Sequence, residues 1–221
     1  MTSSTFLGVI STAIQSAVFP RFCVRCEDEG DVLCTRCFAD WEAVDVTFEA
    51  NAASFLPYAD PITRDLLRTW KYHFDLRARD VLFNKLRPNL HVLSSMARDR
   101  GVQAIVPVPL FLDRLSERGF DQAVEIAKFI SSELGIPVYQ CLARIRETGK
   151  QSERSDEERA HVMEESPFVA TSSVPESVLL VDDVYTTGAT AGAAERALRN
   201  AGAKQVWIVT IAKGSDRTGG V

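Results

Sequence analysis

The stretch VLLVDDVYTTGAT, residues 178 to 190, constrains this chain more than any other. Val178 to Val181 form a short, wholly apolar run, suited to a strand buried on both faces as in a parallel sheet. Asp182 and Asp183 then fall at the carboxyl end of that strand, where open α/β sheets bind ligands. In the turn from Thr186 through Thr187, Gly188 and Ala189 to Thr190, backbone N–H groups, hydroxyls and a helix N-terminus converge, a natural cradle for a dianionic phosphate. Gly188 permits close backbone approach.

Adjacent acids after a strand can also merely cap a helix or sit at the surface. A response-regulator acid pocket carries such a pair too, but it does not need a Thr-Thr-Gly-x-Thr turn immediately afterwards. The turn decides for a phosphate ligand.

From Gln103 onward, short apolar runs alternate with amphipathic stretches, the signature of βα units around a parallel sheet. The pattern predicts strands over 104–109, 138–143, 178–181 and 206–211, and helices over 121–134 and 190–200, with Gly135 and Gly202 where helices should stop. Upstream it predicts a short helix over 35–44, a strand over 53–58, and a helix opening at Asp60 and Pro61 and running toward Lys71. A further helix runs from Leu76 toward Ala97, interrupted at Pro88. Between Arg144 and Pro167 lies a long polar segment, RIRETGKQSERSDEERAHVMEESP. A loop of that length inside a compact domain is usually functional or disordered.

Four of the five cysteines lie within Cys23 to Cys37, as two C-x-x-C pairs separated by seven residues. That spacing can place four thiolates around Zn2+, and it points to a reducing compartment and a cytoplasmic protein. The alternative to zinc is a redox dithiol or disulfide pair. With Cys23, Cys26, Cys34 and Cys37 all ligating, no position stays open for catalysis, and the role is folding or else a knuckle touching nucleic acid or a partner protein, which the mixed charge around Arg21, Arg25, Glu27 and Asp28 does not clearly favour. Too few apolar residues surround them to form a core, and metal binding would supply stability. Cys141 stands alone as a small buried hydrophobe. Phe6, Val9, Ile10, Ala13, Ile14 and Ala17 fall on one helical face, a docking helix; no Lys or Arg precedes them as in a signal peptide. No stretch is long and apolar enough to span a bilayer. A hydrophobic fraction of 46% suffices for a core, and a net charge of -5 argues against a dominant nucleic-acid-binding face.

The loop IVPVPLFLDRLSERGFDQA, residues 105 to 123, follows a strand and is stiffened by Pro107 and Pro109. Arg114 and Arg118 there offer planar forks suited to phosphate oxygens.

Together these motifs carry a resemblance. Residues 178 to 190 resemble the motif with which type I phosphoribosyltransferases bind 5-phosphoribosyl-1-pyrophosphate (PRPP), and the chain from Cys23 onward resembles the ComF family of bacterial proteins. The loop at 105–123 is similar to that family's V-P-V-P…R-x-x-x-R-G-F-N-Q block, with Asp121 in place of Asn. Arg144, Arg146, Thr148 and Gln151 match its R-x-R-x-T-x-x-Q stretch. Arg159 fits as well, while His161 stands where Asn is usual. Lys71 to Asp75 resemble a K-Y-x-G-D block with Phe74 replacing glycine; Lys71 either approaches the site or is a salt-bridged surface lysine.

The resemblance implies an α/β fold: a type I phosphoribosyltransferase-like parallel sheet with helices on both faces, spanning 49–221, beside an N-terminal helix and small four-cysteine zinc module over 1–48. A mobile loop over about 144–167 would close on PRPP. Asp182 and Asp183 would hold the ribose hydroxyls and Thr186 to Thr190 the 5'-phosphate, with Val181, Pro107, Val108, Arg146 and Gln151 completing the ligand-binding set. Arg114 and Arg118 join the two aspartates as catalytic residues acting on PRPP and Mg2+. The expected activity is transfer of phosphoribose to a nitrogenous acceptor that no motif identifies. The other expectation is a non-catalytic PRPP sensor or adaptor in DNA uptake, with a helicase-like partner. Direct nucleic-acid binding is disfavoured by the charge balance, and a homodimer is one option for assembly.

Overall fold

A computed structural model describes residues 20–42, 45–111, 119–146 and 166–214. The expected docking helix, Arg114, Arg118 and most of the polar segment after Arg146 lie outside them.

The chain enters through the cysteine module, whose helix α1 (Thr35–Asp40) starts at Cys34. Strand β1 (Thr47–Glu49) pairs antiparallel with β2 (Ala52–Pro57). Helices α2 (Pro61–His73), α3 (Leu76–Leu86) and α4 (Leu90–Asp99) follow, the last two separated by a 3-10 turn over Arg87–Asn89 that contains Pro88. Strand β3 (Ala104–Pro107) and helix α5 (Gln122–Leu134) lead to a hairpin of β4 (Leu142–Arg144) and β5 (Phe168–Ala170). Strand β6 (Ser177–Tyr185), helix α6 (Ala189–Asn200) and strand β7 (Gln205–Lys213) close the described chain.

The five-stranded sheet has the order β1-β2-β7-β6-β3. The pairs β2–β7, β7–β6 and β6–β3 are all parallel. A buried parallel sheet must be covered on both faces, and side-chain alternation shows how. Leu179 and Val181 of β6 join a core with Ile105, Val209, Ile211 and the apolar stripes of α2 to α5. Val178 and Leu180 point the other way, into a core with Val106, Ile208, the alanines of α6, and Leu142 and Phe168 of the hairpin. Within the first core Trp70, wholly buried, meets Phe83 edge-on at 5.8 Å, and Phe83 stacks on Phe129 at 4.2 Å. Burying each such side chain contributes roughly 1.5–3 kcal/mol.

Helix starts follow local chemistry. Asp60 caps α2 by accepting from the Thr63 N–H at 2.7 Å, with Pro61 at the first helical position. Asp121 caps α5 in the same way. Gly135, at φ 71°, ends α5 in the left-handed region as expected.

Two expectations change. The run 138–143 is not one strand: Val138 makes a single parallel bridge to Ile105, and the chain then leaves the sheet so that Leu142–Arg144 pair with Phe168–Ala170. The strand expected over 104–109 ends at Pro107. The cysteine module is also less bare than its composition suggests. Cys23, Val32, Leu33, Cys37 and Trp41 are buried in the same core as Phe55 and Trp70.

Candidate functional site

Because β2, β3, β6 and β7 run parallel, their carboxyl ends share one edge of the sheet, and a cavity of about 360 Å3 opens there. Tyr58 follows β2, Val108 to Leu110 follow β3, Asp182 and Asp183 come from the end of β6, Thr186 follows it, and Thr190 comes from the start of α6; all line it. Lys71 of α2, Asp121 to Ala123 at the start of α5, and Arg144 of β4 complete the wall.

Of the residues expected from sequence, the structure therefore gathers Val108, Asp182, Asp183, Thr186 and Thr190 on one cavity. Pro107 and Val181 sit opposite each other in the β3–β6 register, and the Val108 N–H donates to the Val181 carbonyl at 2.8 Å, which fixes the two walls together. Thr187, Gly188 and Ala189 form the turn between Asp183 and Thr190, and Thr187 Oγ1 accepts from the Ala189 N–H at 3.4 Å. Gly188 has φ 72°, which favours glycine, and a Cβ there would stand 2.4 Å from Tyr185 Oη, so any other residue would also have to displace the tyrosine tip. Arg146 is exposed and does not line the cavity; its carbonyl accepts from Arg144 Nε at 3.3 Å, and Arg144 is the one that reaches the wall. Arg114, Arg118 and Gln151, with Thr148, Arg159 and His161, lie outside the described residues.

Electrostatics define the floor. The Asp183 N–H donates to Asp182 Oδ1 at 2.8 Å, and Lys71 Nζ pairs with Asp183 Oδ2 at 2.5 Å. Burial, reinforced by the charge of Asp183, pushes the Asp182 carboxyl up to about 7, against the pull of the Asp183 N–H and Lys71. Asp121 is raised too, chiefly by burial, although it accepts from the Leu110, Ala123 and Val124 N–H groups at 3.0, 2.9 and 3.4 Å. Three carboxylates thus face one cavity with Lys71 and Arg144. Oxygen donors of this kind, one of them hard to ionise without a further positive partner, fit a hard divalent cation carried on a polyphosphate ligand.

The sequence left Lys71 between a site residue and a surface ion pair; it lines the cavity, and its ion pair with Asp183 is sheltered there, not at the open surface. Tyr58 and Asp121 went unassigned to the site, and Arg144 was matched only to the family's loop stretch. Asp121 could have been suspected as an acid at a helix start beside the phosphate-type loop; Tyr58 carried no local signal.

At the other end of the molecule, the sulfurs of Cys23, Cys26, Cys34 and Cys37 all lie within 4.8 Å of one another. Cys26 and Cys34 Sγ are 3.7 Å apart, and a tetrahedral Zn–S bond of 2.3 Å would require ~3.8 Å. The Cys34 N–H donates to Cys23 Sγ and the Cys37 N–H to Cys34 Sγ, each at 3.5 Å. Burial alone would raise the Cys23 thiol, but the backbone N–H groups of Cys26, Cys34 and Arg25 outweigh it and bring it down to about 6. Burial, with the other three cysteines, pushes Cys37 up to about 12. Four thiols that cannot all shed protons in an apolar knot fit a metal ion that replaces those protons.

Residues 121–220 match the phosphoribosyl transferase domain family. With the acid pair and the threonine turn placed at the carboxyl edge of a parallel sheet, this makes the matched part of the chain a phosphoribosyltransferase-type domain. Competence protein ComFC of Streptococcus pneumoniae is 32% identical over 152 residues, which are 68% of this chain and 63% of that protein. Competence protein F of Haemophilus influenzae is 31% identical over 115 residues, 50% of each. ComFC of Bacillus subtilis is 33% identical over 122 residues, 54% of this chain and 43% of that protein. The chain is similar to these ComF-type competence proteins, and it spans less than two thirds of their length. A solved adenine phosphoribosyltransferase from Leishmania tarentolae is more distant, at 17% identity and a TM-score of 0.44 over 76% of this chain and 82% of that one. That likeness says nothing of substrate.

Proposed function

We propose that this chain binds PRPP together with Mg2+ in the cavity at the carboxyl edge of the sheet, and that it transfers phosphoribose to a nitrogenous acceptor. One observation carries the reading. A pair of adjacent carboxylates, Asp182 and Asp183, runs within three residues into a turn of threonines and a left-handed Gly188 at the N-terminus of α6. Carboxylates accept from ribose hydroxyls, and the turn's N–H groups and the helix start favour a phosphate dianion. Both groups line the same cavity.

In the transfer, a lone pair on the acceptor nitrogen forms the bond to C1 as the C1–O bond to pyrophosphate breaks, and the nitrogen's proton passes to water. Positive charge builds on the ribose ring, as in glycoside cleavage. Asp182 and Asp183 orient the ring through its hydroxyls, and Arg114 and Arg118 would draw off charge from the leaving pyrophosphate. Mg2+ would be held mainly by the ligand's own oxygens, with the aspartates acting on the ribose hydroxyls or through water, and would supply the rest of that neutralisation. Closure of the segment around Arg146 and Gln151 would exclude water from the reacting carbon.

The cysteine cluster is proposed to hold structural Zn2+, within a module over 1–48 whose Val32, Leu33 and Trp41 pack into the core of the domain over 49–221. Four thiols in metal geometry need a reducing compartment, which supports a cytoplasmic location. Among the described residues no helix is long and apolar enough to cross a membrane.

A non-catalytic role is the second reading, since the relatives are named as competence proteins and this fold hosts functions other than catalysis. Magnesium-dependent release of pyrophosphate from PRPP, across a panel of purine, pyrimidine and pyridine bases, separates the two. Release with one base names the acceptor. PRPP binding without release from any base favours a PRPP sensor or adaptor in DNA uptake.

A further inference from the structure

The acid pair of this site is held by a cation from outside the strand–turn–helix motif. Lys71 sits near the carboxyl end of α2, 112 residues before Asp183, and its Nζ lies 2.5 Å from Asp183 Oδ2. The contact follows from strand parity. Leu179 and Val181 point toward α2 to α5, and Asp183 continues that set to meet α2. Both side chains are largely sheltered, at 28% and 15% exposure, and both line the cavity that Asp121, Asp182, Val108 and Leu110 also line.

A charged lysine at this place has a consequence for any divalent cation. A cation arriving alone at Asp183 meets an ammonium already there, and like charges at that range in a sheltered cavity oppose its binding. A cation arriving on a polyphosphate brings compensating negative charge into the same cavity. The flexible four-carbon stem of a lysine then allows its head to leave the carboxylate for a phosphate oxygen.

We propose that Lys71 is the resident counter-ion of the acid pair and a specificity-determining residue: it withholds Asp183 from free divalent cations and passes to the ligand's phosphate oxygens when cation and polyphosphate bind together. This rests on the PRPP reading above and adds to it a residue from the helical cover, outside the matched domain over 121–220.

The test uses Mn2+ as the probe, its binding followed by electron paramagnetic resonance on the full chain, alone and with PRPP. The wild type is expected to bind Mn2+ weakly alone and at least tenfold more tightly with PRPP. Lys71→Met is expected to bind Mn2+ alone at least tenfold more tightly than the wild type, and PRPP about tenfold more weakly. Lys71→Arg, which keeps the charge, should return both affinities toward wild-type values; a Lys71→Met chain that merely misfolds would lose Mn2+ binding, not gain it. Unchanged Mn2+ affinity in Lys71→Met overturns the proposal. Failure of the wild type to bind PRPP, read separately by calorimetry in Mg2+, would instead sink the reading on which it rests.

Discussion

The indole N–H of Trp41 donates to Asp60 Oδ2 at 3.0 Å, and through this bond the cysteine module holds the start of the helix that carries Lys71. The same oxygen accepts from the N–H and the hydroxyl of Thr63, both at 2.7 Å, and Thr63 is wholly buried. Lys85 of α3 donates to the Trp41 carbonyl and lies over the Phe38 and Trp41 rings, at 5.5 and 5.0 Å from their centroids. On the far side, Arg21 pairs with Asp75, the cap of α3.

Asp60→Ala removes the acceptor shared by the Trp41 indole and by the N–H and hydroxyl of Thr63, in a sheltered place. The expected cost is about 2–3 kcal/mol in urea unfolding, against about 1 kcal/mol for Trp41→Phe, which removes one donor and leaves the cap. Equal losses for the two variants would contradict the shared role of that oxygen.

Gly188→Ala places a methyl group 2.4 Å from Tyr185 Oη and forces a left-handed residue to carry a Cβ. The tyrosine tip can move, so stability should fall by only about 1 kcal/mol. The turn moves with it, and affinity for PRPP should fall tenfold or more by calorimetry.

Asp182 gives the site a pH dependence of definite sign. Its carboxyl titrates near 7 in the fold against 3.8 for an ordinary aspartate, so the fold favours the protonated form. That contribution to stability is complete below the unfolded value and is lost as pH rises through 7. Asp182→Asn should therefore match the wild type in urea midpoint near pH 4 and exceed it at pH 8. Asp121, raised in the same direction by burial, keeps part of the slope in the variant. A wild type that gains stability from pH 4 to 8 relative to Asp182→Asn would contradict the assignment.

Loss of one thiolate should empty the cysteine cluster. Cys26→Ser is expected to carry no zinc by elemental analysis and to lose about 3 kcal/mol, a fall in Tm of roughly 10 °C for a chain of this size. Because Val32, Leu33 and Trp41 still pack into the main core, the variant should remain folded at low temperature.

What could be read from the sequence was what is written locally. Asp60 before Pro61, and Asp121 before an apolar stripe, specify helix starts through their own backbone contacts. Residues 178 to 190 specify strand, acids and turn in one continuous stretch. What escaped depends on partners far along the chain. Leu142–Arg144 look like any buried strand until Phe168–Ala170, beyond the polar segment, takes them off the main sheet. Thr47–Glu49, exposed at all three positions, show no alternation for a pattern to catch. The partner of Lys71 is Asp183, 112 residues away, and only the parity of β6 against α2 brings them together.

The central claim is that Asp182 and Asp183 bind the ribose of PRPP, and calorimetric titration of PRPP in Mg2+ tests it most directly. The wild type should bind, and Asp182→Asn and Asp183→Asn should each bind at least tenfold more weakly with a melting temperature no lower than that of the wild type by more than a few degrees. Unchanged affinity in both variants, or no binding by the wild type, would contradict it.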